Sequence, residues 1–428
     1  MILIRNGRVI DPSSALDETM DLVIDKGRIE AMGIYETSSA YDRVIDARGM
    51  IVAPGFVDIH VHFRDPGFTY KEDLVSGARA AARGGFTHVV CMANTNPIMD
   101  DPALLGLMRK RIEDLPIHVY FASAVSEGFR GKKLVDMAAM KKAGAVCFSD
   151  DGLPLQEEAF VREAMRQARD LDMVLSFHEE DPAYIKQAGI HHGRISRQMG
   201  LYGADREAEL SMVRRDIALA KETKAAIHVQ HISSKEAVMM IAQAQKEGID
   251  VSAEASPHHF SLNETAVLKH GTLAKMNPPL REEEDRLAII KGLQENVITI
   301  IATDHAPHAK EEKEREFVKA PSGIIGLETS LSLGITHLVK TGYLSISQLI
   351  DKMSCQPARR LQLKVPQIKI GCMADLVIFD EQEQWTVGSF ASKSCNSPFV
   401  KETLYGKIKY TICNGAIVYL DHEIHPVI

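Results

Sequence analysis

The segment Asp58-Ile-His60-Val-His62-Phe-Arg64 sets two imidazoles two residues apart at the end of the apolar run Gly55-Phe-Val. Side chains on a strand alternate between faces, so Asp58, His60, His62 and Arg64 are expected on one side. An imidazole pair converging at a strand end is half of a divalent metal site, because neutral nitrogen suits Zn2+. The same spacing also occurs on wet strand faces, so the segment alone leaves both readings open. Three further strand ends decide between them.

Met173-Val-Leu-Ser-Phe177 ends in His178, Ala225-Ala-Ile-His-Val-Gln230 in His231, and the run 296–303 in Asp304, followed by His305-Ala-Pro-His308. Each run has the length and β-branched content of a strand buried on both faces. Helix-like sequence, such as 210–223, separates them. Chemistry-bearing residues at the carboxyl ends of successive parallel strands are the layout of a (β/α)8 barrel. A fifth run, Ala143-Gly-Ala-Val-Cys-Phe-Ser149, leads into Asp150-Asp151-Gly152. Two cations held close together need a shared anion. No lysine lies at this strand end to supply a carboxylated bridge, and a carboxylate of the pair, Asp151 in preference to Asp150, could take the role directly. Asp-Asp-Gly read in isolation is only a turn.

Taken together, Gly55-Phe-Val-Asp-Ile-His-Val-His-Phe-Arg-Asp-Pro-Gly67, Asn94-Thr-Asn-Pro97, Asp150-Asp-Gly152, His178-Glu-Glu-Asp181, His231-Ile-Ser-Ser234, Ala255-Ser-Pro-His-His-Phe260, Asn277-Pro-Pro-Leu-Arg281 and Thr303-Asp-His-Ala-Pro-His308 resemble the dihydroorotases of the amidohydrolase superfamily. The likeness is to the long bacterial type, in which aspartate replaces the bridging lysine, and it spans essentially the whole chain. It implies a zinc-dependent enzyme with two Zn2+ per subunit. The reaction implied is the reversible cyclisation of N-carbamoyl-L-aspartate to L-dihydroorotate, in de novo pyrimidine (UMP) biosynthesis. By the same resemblance His60, His62, Asp151, His178, His231 and Asp304 are metal ligands, and Asp304 is also the catalytic proton carrier. Arg64 and Asn94 would hold the substrate carboxylate, with Asn277, His308, Ser322 and Gly323 as further contacts. Ala93 stands where the family usually has proline, and Pro321-Ser322-Gly323 where a Phe-Gly pair is common.

A chain of 428 residues, 45% hydrophobic, can bury a large core. Its net charge of −8 argues against a nucleic acid or anionic membrane as partner. The six cysteines form no Cys-x-x-Cys pair and read as buried reduced thiols. The first residues, Met-Ile-Leu-Ile-Arg5, are charged too early for a signal peptide, and no apolar run reaches membrane-spanning length. A cytoplasmic protein is expected. The resemblance also allows a homo-oligomer or a complex with aspartate carbamoyltransferase. Both ends of the chain alternate short strand-like runs with Asn6-Gly7, Lys26-Gly27 and Asn414-Gly415, which are hairpin signals. Residues 1–52 and 366–428 are therefore expected to combine in a small β-sandwich, with 53–365 as the α/β barrel.

Several residues have a plainer reading. His228 precedes His231 by three positions and faces the other way on a strand; it reads as packing. His191, His192, His258, His259 and His305 carry no ligand role. Lys310-Glu-Glu-Lys-Glu-Arg-Glu316 reads as a solvated charge run, and Met239-Met240 as helix core. Arg64 could be a loop salt bridge, yet it follows the histidine pair in phase. Two alternatives remain: another cyclic amidohydrolase, an allantoinase or hydantoinase, or a non-enzymatic scaffold homologue. The first would normally carry the lysine and lack the Arg64–Asn94 pair. The second would normally have lost ligands.

Overall fold

The computed structural model describes residues 1–421. The first five strands run in sequence as β1 (Ile2–Asp11), β2 (Leu16–Asp25), β3 (Arg28–Gly33), β4 (Arg43–Asp46) and β5 (Ile51–Pro54). Eight more follow: β6 (Phe56–Val61), β7 (Phe86–Cys91), β8 (His118–Ser123), β9 (Ala145–Phe148), β10 (Leu175–Phe177), β11 (Ile227–Val229), β12 (Val251–Ala255) and β13 (Ile300–Ile301). The chain ends in β14 (Leu376–Thr386), β15 (Thr403–Cys413) and β16 (Ala416–Leu420).

Strands β6 to β13 pair in sequence order, each parallel to the next. A parallel bridge from Val61 to His305 brings the two edges together. His62 N donates to His305 O there at 2.9 Å. Helices connect the strands, which is why β6 and β7 are buried at every position. The crossover helix Leu74–Arg83 shows the local logic. Asp73 caps it by accepting from the Val75 and Ser76 amides. Its face of Leu74, Ala78, Ala81 and Ala82 is buried in the main core. Several strands are shorter than the apolar runs that announce them: 296–303 yields only Ile300–Ile301. Beyond those residues the pairing continues only as isolated bridges from His305 to Val61 and Ile324.

The two ends of the chain meet in one mixed eight-stranded sheet, ordered β16-β15-β14-β5-β1-β2-β3 with β4 also on β1. It encloses its own small core, including Ile4, Val9, Leu22, Val52, Leu376 and Ile412. Lys26-Gly27 and Asn414-Gly415 are two-residue hairpin turns with positive φ at both positions (47° and 81°; 51° and 76°). Asn6-Gly7 departs from expectation. It is a bulge inside β1, where the register slips between Ile4 and Gly7. A Cβ on Gly7 would lie 2.6 Å from Val52 Cγ2, so close strand packing explains the glycine. Met239, expected in the core, is exposed on its helix, because the inward positions are filled by Ala237, Val238 and Ile241. Cys91, Cys147, Cys355 and Cys413 are buried as expected, Cys372 is half-buried, and Cys395 is exposed. Among the described residues no helix is long and apolar enough to cross a membrane.

Candidate metal centre

The carboxyl ends of β6, β10, β11 and β13, with the turn after β9, aim six side chains at one point. Their donor atoms form two triads that share Asp151: His60, His62 and Asp151, then Asp151, His178 and His231. Asp151 Oδ1 lies 3.4 Å from His60 Nε2 and 3.6 Å from His178 Nδ1, and its Oδ2 lies 3.5 Å from His62 Nε2. Asp304 Oδ1 completes the first group, 3.0 Å from His62 Nε2 and 3.6 Å from His60 Nε2. Three residues of the site have left-handed backbone without being glycine: Arg64 (φ 59°), His231 (29°) and Asp304 (48°). Such conformations cost roughly 1–3 kcal/mol each and persist where surrounding structure enforces them. Here they turn the chain off the strand and into the barrel mouth.

The donor set fits a pair of divalent cations. Metal–ligand bonds of about 2.0–2.1 Å place tetrahedral donors about 3.3 Å apart, and the separations above scatter around that value. His178 Nδ1 and His231 Nε2 stand 3.0 Å apart. His60 Nε2 is buried with no hydrogen-bond partner. Charge points the same way. Burial opposes ionisation of the Asp151 carboxyl, yet the surrounding imidazoles hold it well below its usual range. For Asp304 the same contest, decided by His62 and His60, ends at about 2. In turn the carboxylates lift His60 well above its ordinary value and His178 to about 10, against the desolvation that would lower both. The carboxylates thus draw positive charge onto nitrogens that a divalent cation would occupy instead.

Residues behind the cluster fix its orientation. Glu254 Oε1 accepts from His60 Nδ1 at 2.6 Å, and its Oε2 from His228 Nε2 at 2.9 Å. His228 Nδ1 meets Ser252 Oγ at 2.8 Å. His228 therefore stays out of the cluster, as expected, but it anchors the carboxylate that orients His60. Glu180 Oε2 does the same for His178 Nε2 at 3.0 Å. Such outer partners typically govern metal affinity by 10–100-fold. Glu254→Gln keeps the shape and removes the charge; it should weaken metal binding by about 10–100-fold, read by competition against a chromophoric chelator. Asp58 does not join the His60, His62 and Arg64 side chains at the mouth. Its carboxylate accepts from the His60 and Thr303 amides and so ties β6 to the end of β13. Asp150 is likewise structural, accepting from Val125 N, Ser126 N and Ser126 Oγ.

A cavity of about 200 Å3 opens over the cluster, lined among others by Arg64, Asn94, Asn277, His308, Ser322 and Gly323. Arg64 Nε donates to Pro307 O at 3.3 Å; among the described residues its guanidinium has no carboxylate within ion-pair distance. Asn94 has a second occupation that the sequence did not reveal. Its Oδ1 accepts from His62 Nδ1 at 2.9 Å, and its Nδ2 donates to Asp151 Oδ2 at 3.2 Å. Burial pushes His308 down to about 2. As a neutral ring it donates from Nε2 to Ser322 O at 2.8 Å, leaving Nδ1 without a hydrogen-bond partner. His305 faces away toward Glu72 and Gly326, and His192 stacks on Tyr202.

The 310–316 charge run is only partly solvated. Lys313 is buried, and its ammonium donates to Pro321 O (2.9 Å) and Gly323 O (3.0 Å). The run folds under the cavity wall because these two carbonyls offer the buried ammonium acceptors in place of water. Asn396, from the segment joining β14 to β15, holds the same wall. Its Nδ2 donates to Ala306 O (3.0 Å) and Gly323 O (3.1 Å), and its Oδ1 accepts from His308 N (3.1 Å). No motif marks either residue. Asn396→Ala should cost roughly 1–3 kcal/mol of stability by orphaning buried backbone groups. It should also raise KM for the carboxylate substrate while leaving metal content intact, as seen by denaturant melts beside steady-state kinetics.

Residues 49–237 match the family model described as dihydro-orotase-like. The dihydroorotase of Clostridioides difficile (strain 630) is 56% identical over 419 residues, covering 98% of this chain and all of that protein. The dihydroorotase of Clostridium acetobutylicum is 49% identical over 427 residues, with 98% and 100% coverage. Among solved structures, the L-hydantoinase (dihydropyrimidinase) from Arthrobacter aurescens superposes with a TM-score of 0.86 at 25% identity, covering 99% of this chain and 97% of that one. The hydantoinases share the architecture, whereas identity of about half over the full length lies with the dihydroorotases. With Asp151 in the bridging position between two histidine groups, the chain belongs to the dihydroorotase family.

Proposed function

We propose that the protein is a dihydroorotase that interconverts L-dihydroorotate and N-carbamoyl-L-aspartate, with zinc held by His60, His62, Asp151, His178, His231 and Asp304. The observation that carries this reading is the pairing of two donor triads on Asp151 with a half-buried Arg64 at the same cavity, whose guanidinium has no carboxylate within ion-pair distance among the described residues. Zinc bound there would polarise the ring amide and bring water toward ionisation at neutral pH. Everything else falls to the chain. Arg64 offers a planar fork to the substrate's non-reacting carboxylate, and Asn94 a second donor through the Nδ2 hydrogen that Asp151 does not hold. Holding that group fixes the ring over Asp304 and lowers the entropic cost of closure. His308 Nδ1, an unpartnered acceptor, suits a ring N–H, and Asn277 with the Ser322-Gly323 backbone encloses the remaining edge.

In the hydrolytic direction water oxygen bonds to the amide carbon, and Asp304 takes the water proton on its carboxylate. The carbon–nitrogen bond then breaks as Asp304 returns that proton to the leaving nitrogen. Ring closure reverses each step: Asp304 removes a ureido proton, nitrogen attacks the carboxyl carbon, and water departs. The six unpaired cysteines suit a reducing compartment, the cytoplasm. The test is an assay of dihydroorotate, allantoin and hydantoin hydrolysis before and after chelation, with metal counted in each sample. Dihydroorotate turnover that falls with chelation and returns with zinc is expected. Turnover of a neutral ring in preference to dihydroorotate would favour the hydantoinase reading, and active metal-free protein would remove the metal reading altogether.

A further inference from the structure

A second group of metal-type donors lies at the opposite end of the barrel. His88 in β7 and His118 in β8 are register partners on adjacent parallel strands, with ring centroids 4.4 Å apart. Asp375, the residue before β14, reaches them from the terminal sheet. One donor atom from each of the three lies within 4.8 Å of the other two. His118 Nε2 and Asp375 Oδ2 are 3.4 Å apart, long for a hydrogen bond and close to the edge of about 3.3 Å in a tetrahedral zinc site. The supports resemble those of a ligand set. Thr87 Oγ1 holds His88 Nδ1 at 2.9 Å, which leaves Nε2 for another partner. Asn414 N donates to Asp375 Oδ1 at 2.7 Å, which leaves Oδ2. Metal-bound histidines and carboxylates are commonly oriented through their second atom in this way. His118 is half-exposed and opens onto a groove that also touches Tyr120 and Asn414, so an ion and a water have a route in.

We propose that His88, His118 and Asp375 bind a structural zinc ion at the amino-terminal end of the barrel, joining β7 and β8 to the terminal sheet. Two neutral imidazoles, one carboxylate and a water make a donor set that suits zinc. The site is remote from the carboxyl ends of the strands, where the first cluster lies, and this face of a barrel serves stability. The inference stands independently of the proposed reaction.

The experiment loads the full-length enzyme with Zn2+, removes excess by gel filtration, and counts metal in wild type, His118→Gln, His88→Gln and Asp151→Ala. Each glutamine variant should hold one zinc fewer per chain than wild type, with kcat/KM for dihydroorotate within about twofold of it. Added Zn2+ should raise the Tm of Asp151→Ala, and that rise should be smaller in Asp151→Ala/His118→Gln, which should also hold one zinc fewer per chain than Asp151→Ala. Should the buried His88→Gln fail to fold, the half-exposed His118→Gln decides alone. Equal zinc counts in wild type and folded His118→Gln, with the same zinc-dependent Tm rise in both backgrounds, would overturn the site and leave an ordinary His–Asp pair. Loss of activity on chelation together with that result would refute only this inference.

Discussion

Asp151→Ala is expected to abolish occupancy of at least one metal position and to lower kcat/KM for dihydroorotate by about 10³-fold or more. Asp151 is shared by both triads, and its two oxygens approach imidazole nitrogens of both. Removing it takes away the anion that offsets repulsion between two cations. Lewis-acid stabilisation is worth several kcal/mol, and each 1.36 kcal/mol is tenfold in rate. Asp150→Ala is the control, one residue away with the same charge. Asp150 spends both oxygens on Val125 and Ser126, so its loss should lower stability by roughly 1–3 kcal/mol and keep the metal. Elemental analysis and chemical denaturation of the two variants measure both effects. If Asp150→Ala lost more metal than Asp151→Ala, the bridge would be assigned to the wrong carboxylate.

Arg64→Met tests substrate choice. The substitution keeps the stem and deletes the fork. Arg64 is held at the cavity by Pro307 O and has no carboxylate within ion-pair distance among the described residues, so an anionic substituent on the substrate would be its partner. Truncating one partner of a buried charge pair costs about 2–4 kcal/mol, or roughly 30- to 1,000-fold in kcat/KM. That loss is expected for dihydroorotate. A neutral ring such as dihydrouracil should start low and change little, because it never engages the guanidinium. The comparison requires kcat/KM for both substrates in both proteins at verified zinc content. Equal losses on the two rings, with metal retained, would make Arg64 a structural residue of the loop.

The two effects rest on features of different origin. The histidine and aspartate positions were legible because a strand end carries a local signature: an apolar β-branched run, then a polar donor. His60, His62, His178, His231 and Asp304 each sit at such an end; the structure brings the four histidines to Asp151 and Asp304 to His60 and His62. The turns Lys26-Gly27 and Asn414-Gly415 were legible for the same reason, since positive φ at adjacent residues selects those types. Asn6-Gly7 carries an identical signal and became a bulge, because the close approach of Val52 is a fact about another strand. The Lys310–Glu316 run misled similarly. Its charges predict solvation, yet carbonyls at Pro321 and Gly323 capture Lys313.

The sequence by itself determined the alternation of apolar runs and helices, the residue types at the strand ends, and the hairpins of the terminal sheet. Each follows from neighbours within a few residues, where periodicity and turn chemistry act. Tertiary structure alone decided that Glu254 orients His60 across 194 positions, that Asn396 braces the cavity wall from the terminal segment, and that Asn94 turns toward His62 and Asp151. It also decided the left-handed backbone at Arg64, His231 and Asp304. None of these has a local cause. A strained φ or a buried polar partner is sustained only by the packing of a closed barrel around it, and that packing exists only once distant strands have met.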